Sequence, residues 1–240
     1  MSKQVYFITG ANRGIGLEFV KHIIQRDNVF IYATTRDPTQ QDELNAIAQA
    51  NKNVKVLKLN SGSEEDAKAA AEEVKKHSDK IDVVIANAGY HAIDNTANAT
   101  VSNLKNLFEI NAIGPLVLFQ ALHDLLKKGD DPKIIFISSG AGSITMAAQV
   151  PFPILSYGAS KAALNFIAQK VHVENEWLIA TPIHPGLVDT RMSSNTEETD
   201  DFKKITTDTS VSSILKIVDN ATRSETSGKF LNYDGTPLPW

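Results

Sequence analysis

Seven short apolar runs, separated by longer amphipathic or alanine-rich segments, constrain the fold of this chain more than any other feature. The runs Val5–Ile8, Val29–Thr34, Val54–Leu59, Ile81–Ile85, Lys133–Ser138, Leu178–Pro182 and Phe230–Asn232 read as buried strands. Between and after them, helices are predicted near Ile15–Asp27, Gln40–Gln49, Glu64–Lys76, Val101–Lys128, Ser156–Glu174 and Thr207–Ala221. Strands joined by helical crossovers lie parallel, so the expected architecture is α/β, a doubly wound seven-stranded parallel sheet with helices on both faces.

The 240 residues show no repeat, linker or low-complexity tract, and residues 1–240 are expected to form one domain. A domain of that size buries roughly 70–75% of its unfolded surface. With 24 basic and 28 acidic residues the net charge is -4, which argues against nucleic-acid or membrane partners. The absence of cysteine excludes a disulfide framework, a thiolate nucleophile and a thiolate metal site. The six histidines, at 22, 77, 91, 123, 172 and 184, show no metal-ligand spacing, so no metal is expected. Val5–Ile8 is too short for the core of a signal peptide, and a cytoplasmic protein is the expectation.

Between the first strand and the first helix runs Thr9-Gly10-Ala11-Asn12-Arg13-Gly14-Ile15-Gly16. In a Rossmann-type sheet this turn faces a dinucleotide pyrophosphate. Gly10 permits the tight turn, and Gly14 and Gly16 admit phosphate and helix at close range. Asn12, Arg13 and Ile15 complete the cradle, and the helix dipole favours an anion. Cofactor choice falls at the end of the second strand, where an acidic residue would bind a ribose 2′-hydroxyl. Thr35 stands there instead, followed by Arg36, and Arg13 and Arg36 can clamp a 2′-phosphate from two sides. The expected cofactor is NADPH.

Further motifs follow in order: Ala86-Asn87-Ala88-Gly89 after the fourth strand, Asn111 in the long fourth helix, Ile137-Ser138-Ser139, Tyr157-x-x-x-Lys161, and Pro185-Gly186-Leu187-Val188-Asp189-Thr190. With the glycine turn, this series resembles the short-chain dehydrogenase/reductase family over essentially the whole chain. Ser139–Ser143 and Gly228–Gly235 resemble the subgroup of small NADPH-dependent carbonyl and ketone reductases that includes norsolorinate-type ketoreductases and the sniffer and C-factor proteins.

The resemblance implies a catalytic tetrad of Asn111, Ser139, Tyr157 and Lys161. Tyr157 and Lys161, at i and i+4, share one helical face. A phenol titrating near pH 10 is a poor acid–base group at neutrality, and a nearby ammonium is expected to lower it. Tyr157 would then be the general acid toward a carbonyl oxygen, with Ser139 orienting that oxygen. Ser138 and Ser143 are alternatives to Ser139. Asn111 would anchor a water linking Lys161 to solvent where Gly114-Pro115 kinks the helix.

Cofactor contacts are implied for Asn60 and Ser61 at the adenine, for Asn87, Ala88 and Gly89, and for Tyr157 and Lys161 at the ribose. Pro185, Gly186, Val188 and Thr190 would lie at the nicotinamide. The expected activity is oxidoreductase, a carbonyl reductase taking a small-molecule ketone or aldehyde of apolar, diketone or ketoester type. The alternatives are an alcohol dehydrogenase working in the oxidative direction and a non-catalytic dinucleotide sensor or scaffold. A homodimer or homotetramer is further implied. Eighteen positions separate Ser139 from Tyr157, a longer span than in many members, so Ala148–Leu155 is expected to build a pocket wall. The polar stretch Arg191–Lys204 is the expected lid.

Overall fold

In the computed structural model, which describes residues 3–40, 42–147, 152–194 and 203–240, strand β1 (Gln4–Ile8) has buried side chains on both faces. Val5 and Phe7 enter one core cluster and Tyr6 and Ile8 another, as a side-chain period of two requires. The other strands are β2 (Val29–Thr35), β3 (Val54–Lys58), β4 (Val83–Ala86), β5 (Lys133–Ile137), β6 (Ile179–His184) and β7 (Leu231–Asn232). Every neighbouring pair is parallel, in the order β3-β2-β1-β4-β5-β6-β7. The winding reverses between β1 and β4, which opens a crevice at the carboxyl ends of the strands.

The helices are α1 (Gly14–Ile23), α2 (Asp42–Ala50), α3 (Glu64–Lys75), α4 (Val101–Phe108), α5 (Gly114–Leu126), the short α6 (Ile144–Ala147), α7 (Leu155–Glu174) and α8 (Thr207–Asn220). Phe19, Leu44 and Ile214 bring α1, α2 and α8 onto the face of Tyr6 and Ile8. Val74, Leu122 and Leu164 bring α3, α5 and α7 onto the other. None of these helices is long and apolar enough to cross a membrane.

The first helix ends at Ile23 rather than Asp27, the sixth strand runs on to His184, and two further local predictions change. The single long helix expected over Val101–Lys128 is divided by a π-helical turn at Glu109–Ile113, and Pro115 enters α5 in its first turn, where its missing N–H is tolerated. β4 begins at Val83 rather than Ile81 because the preceding residues are engaged elsewhere. Asp82 is 1% exposed and accepts from the Val5 N–H at 2.7 Å, the Asp130 N–H at 2.7 Å and the Lys80 ammonium at 2.9 Å. One carboxylate thus joins three segments at the amino end of the sheet. Asp82→Ala should destabilise the protein by about 3–5 kcal/mol in urea unfolding at pH 7, because it leaves the N–H groups of Val5 and Asp130 without this acceptor and takes from Lys80 one of its two carboxylate partners, Asp130 being the other. A loss below about 1 kcal/mol would remove Asp82 from this role.

Candidate active site

The glycine turn sits at the carboxyl end of β1, facing the crevice. Gly10 has φ +63°, a conformation open to glycine at little cost. A Cβ on Gly16 would lie 2.2 Å from the Gly10 carbonyl oxygen and 2.5 Å from Asn87 Nδ2, so only glycine lets α1 start this close to the sheet. No side chain caps α1; its N-cap residue is the exposed Arg13, and the N–H groups of the first turn are left for an anion. Asn87 Nδ2 donates to the carbonyls of Thr9 and Gly10 at 2.9 and 3.2 Å, while Thr9 Oγ1 accepts from the N–H groups of Asn87 and Ala88. Asn87 and Ala88 therefore build the cradle from behind.

At the end of β2, Thr35 is buried and Arg36 exposed. Asp37 curls into its own turn, accepting from the Thr39 N–H and hydroxyl at 2.9 and 2.6 Å, and those bonds hold its carboxyl below the usual range. At the end of β3, Asn60 donates through its side-chain amide and its backbone N–H to Asp66, which leaves the amide oxygen as the accepting atom. Ser61 Oγ donates to the Ile110 carbonyl at 2.7 Å. Asn60, Ser61, Thr9, Ala88 and Gly114 line a small cleft between the sheet and α5.

After β6, the Pro185 carbonyl accepts from Ser210 of α8 at 2.6 Å, and Gly186 turns with φ +84°. Val188 is buried and bridges Ile205, and Thr190 reaches the glycine turn, within 3.5 Å of where a Gly14 Cβ would stand. Arg191–Ser194 form a turn; positions 195–202 of the expected lid and 148–151 of the expected wall lie outside the described residues.

The catalytic candidates converge where α7 meets the turn after β5. Ser139 heads that turn, Gly140–Gly142; its hydroxyl accepts from the Ala141 N–H at 3.2 Å and lies beside the Tyr157 phenol. Ser138 faces away and donates to Asn165 of α7 at 2.6 Å, and Ser143 caps α6 by accepting from the Met146 N–H. Of the three serines, Ser139 is the one at Tyr157. Lys161 is 3% exposed, donates to the Ile137 carbonyl at 2.8 Å and lies 5.8 Å from the centroid of the Tyr157 ring. Asn111 is fully buried in the π turn; it accepts from the Tyr90 N–H and donates to the Tyr90 carbonyl, both at 2.8 Å, and donates to Ser160 of α7 at 2.9 Å. Its side chain splices the π turn, the loop after β4 and α7 together.

The electrostatics differ from the expectation that Lys161 depresses Tyr157. Burial raises the Tyr157 phenol, with the Ser139 hydrogen bond pulling the other way, and burial draws Lys161 down to about 7. Desolvation penalises both charged forms, and among the described residues no opposite charge is close enough to Lys161 to offset it.

Several positioning residues escaped the motif reading. Asn165 extends the i, i+4 stripe of Tyr157 and Lys161, so helical periodicity alone could have found it. Asp94, Ser156, Ser160 and Ser210 act across long sequence separations, which no local signal reveals. The same holds on the other face of the sheet, where Glu18 and His22 of α1 meet Asp208 of α8 with ligand-type atoms all within 4.8 Å of one another. Histidine spacing had given no hint of that group.

Known proteins share this fold. The short chain dehydrogenase profile matches residues 4–201. An uncharacterized oxidoreductase of Schizosaccharomyces pombe is 38% identical over 253 residues, covering 100% of this chain and 99% of its own. The norsolorinic acid ketoreductase of Emericella nidulans is 32% identical, over 99% of this chain and 94% of its own. Among solved structures, an NADPH-bound carbonyl reductase from chicken fatty liver superposes with a TM-score of 0.92 at 33% identity, covering 100% of both chains. By its sequence over most of its length, and by its fold, the chain belongs to the short-chain dehydrogenase/reductase family.

Proposed function

We propose that this protein is an NADPH-dependent carbonyl reductase that converts a ketone or aldehyde, of apolar, diketone or ketoester type, to an alcohol with Tyr157 as general acid. The observation that carries the reading is the meeting of the Ser139 hydroxyl with the Tyr157 phenol beside a buried Lys161, at the carboxyl end of β5. The relatives named above, one a ketoreductase and one a carbonyl reductase with NADPH bound, support it.

The residues fit the cofactor. Gly10–Gly16 and the uncapped start of α1 suit its pyrophosphate. Arg13 and Arg36 suit a 2′-phosphate, the more so because Asp37 is turned into its own loop. Asn60, Ser61 and Asn87–Gly89 would border the adenosine, and Pro185, Gly186, Val188 and Thr190 the nicotinamide. When bound, the reduced nicotinamide supplies a hydride to the carbonyl carbon.

Tyr157 gives its proton to the carbonyl oxygen, and a phenol raised by burial keeps that proton at neutral pH. The Ser139 hydroxyl holds the oxygen in line and donates to it as negative charge develops. The phenolate left behind is stabilised by Lys161 in its protonated form, which at about 7 is half populated near neutrality. Asn111 keeps α7, and with it Tyr157 and Lys161, registered against the loop after β4. Phe166 and Val173, exposed one above the other on α7, support pairing into a homodimer or homotetramer.

Three outcomes test this reading. With NADPH and a panel of aldehydes, diketones and ketoesters, Tyr157→Phe should turn over at least about 100-fold more slowly than wild type; equal rates would sink the assignment. Arg13→Ala with Arg36→Ala should raise the KM for NADPH about 10–100-fold, the worth of lost charge-assisted hydrogen bonds, while sparing the KM for NADH. A wild-type preference for NADH would refute the role of both arginines. Because kcat/KM reports ionisations of the free enzyme, its value for reduction should fall as pH rises through about 7, where Lys161 loses its proton before Tyr157 does. A profile flat from pH 6 to 9 would remove Lys161 from the chemistry.

A further inference from the structure

None of the motifs includes His91, yet its ring meets Tyr157 edge-on, with centroids 4.8 Å apart and planes at 72°. That is an attractive geometry for an aromatic pair. The loop carrying His91 is pinned on both sides. Before it, the Tyr90 backbone is held at both N–H and carbonyl by Asn111, at 2.8 Å each. After it, Asp94 is 3% exposed and accepts from the Ser156 N–H at 2.9 Å and the Ser156 hydroxyl at 2.6 Å. The Asp94 backbone bonds the same stretch, donating to the Pro153 carbonyl at 2.8 Å and accepting from the Leu155 N–H at 3.0 Å. His91 thus stands between two anchors, one on the π turn and one on the residue preceding Tyr157, and cannot drift relative to α7.

A phenol is free to turn about two side-chain torsions, and the Ser139 hydrogen bond restrains only its tip. We propose that His91 is a positioning residue for Tyr157, whose imidazole braces the phenol ring so that the hydroxyl stays on Ser139 and on the line of proton transfer. It acts through ring contact and not by exchanging a proton. Burial lowers the basicity of the imidazole, with Asp94 pulling the other way, and the edge-on ring contact needs no charge on it. The inference rests on the reading of Tyr157 as proton donor.

The test uses NADPH and the panel carbonyl that the wild type reduces fastest. His91→Ala should lower kcat about tenfold, as loosened positioning of a reacting group does, with the KM for NADPH within about twofold of wild type. His91→Phe, which keeps an aromatic edge and has no nitrogen, should bring kcat back to within about threefold of wild type. Wild-type kcat in His91→Ala overturns the inference, and so does a phenylalanine variant as slow as the alanine one, since that would assign the work to a ring nitrogen. Should His91→Ala fail to fold, Ser156→Ala carries the test: loosening the Asp94 anchor should lower kcat at unchanged KM, and wild-type kcat overturns the brace. Tyr157→Phe is assayed alongside. Full activity there overturns the proposed function and this inference together, whereas its loss with an unimpaired His91→Ala overturns this inference alone.

Discussion

The whole catalytic end of this protein depends on how closely α7 lies against the turn that follows β5. A Cβ on Gly142 would sit 2.7 Å from the Lys161 carbonyl carbon, so the two backbones are in direct contact with no side chain between them. Hydrogen bonds then lock the contact from β5 and its turn: Ser138 to Asn165, Asn165 to the Gly142 carbonyl, and Lys161 to the Ile137 carbonyl. With α7 in that place, Ser139 can reach Tyr157 without any further adjustment. A larger residue at 142 would push the helix outward and part the serine from the phenol. The flush packing is therefore a structural requirement of the candidate site.

The same packing decides the protonation states. A lysine almost wholly removed from water, with a carbonyl for its hydrogen-bond partner, keeps its charge poorly, and Lys161 falls to about 7. The phenol beside it is pushed the opposite way by the same desolvation. Neither shift contributes to stability; both push ionisable groups toward their neutral forms. A site with perturbed groups inside a crevice is where chemistry is expected, and here the perturbation has one physical origin.

Much of this was legible along the chain, and the boundary between legible and hidden follows locality. The strands were found because each is a short buried run, and the glycine cradle because its constraints are contained within eight residues. The candidate tetrad came from motifs in a familiar order, and the fold brings Ser139, Tyr157 and Lys161 of it together. What stayed hidden involves partners far apart in sequence: the Asp82 carboxylate under β1, the Asp94 anchor on Ser156, His91 against Tyr157, and His22 against Asp208. The π turn at Glu109–Ile113 was legible in part, since Gly114-Pro115 marked a kink there. One extra residue in a turn leaves the apolar pattern nearly unchanged, so the π form itself did not show in the periodicity.

The amino-acid sequence by itself determined the parallel sheet, the phosphate cradle and the residue types available for proton and hydride chemistry, because those are set by periodicity, glycine geometry and short-range spacing. Only the tertiary structure decided which of three nearby serines meets the tyrosine, and that Asn111 serves as a splice between segments. It also decided that Lys161 and Tyr157 are both driven toward their neutral forms. Side-chain direction at a strand end depends on what the next helix leaves open. Desolvation depends on every neighbour that excludes water, and those neighbours are assembled only when the chain has folded.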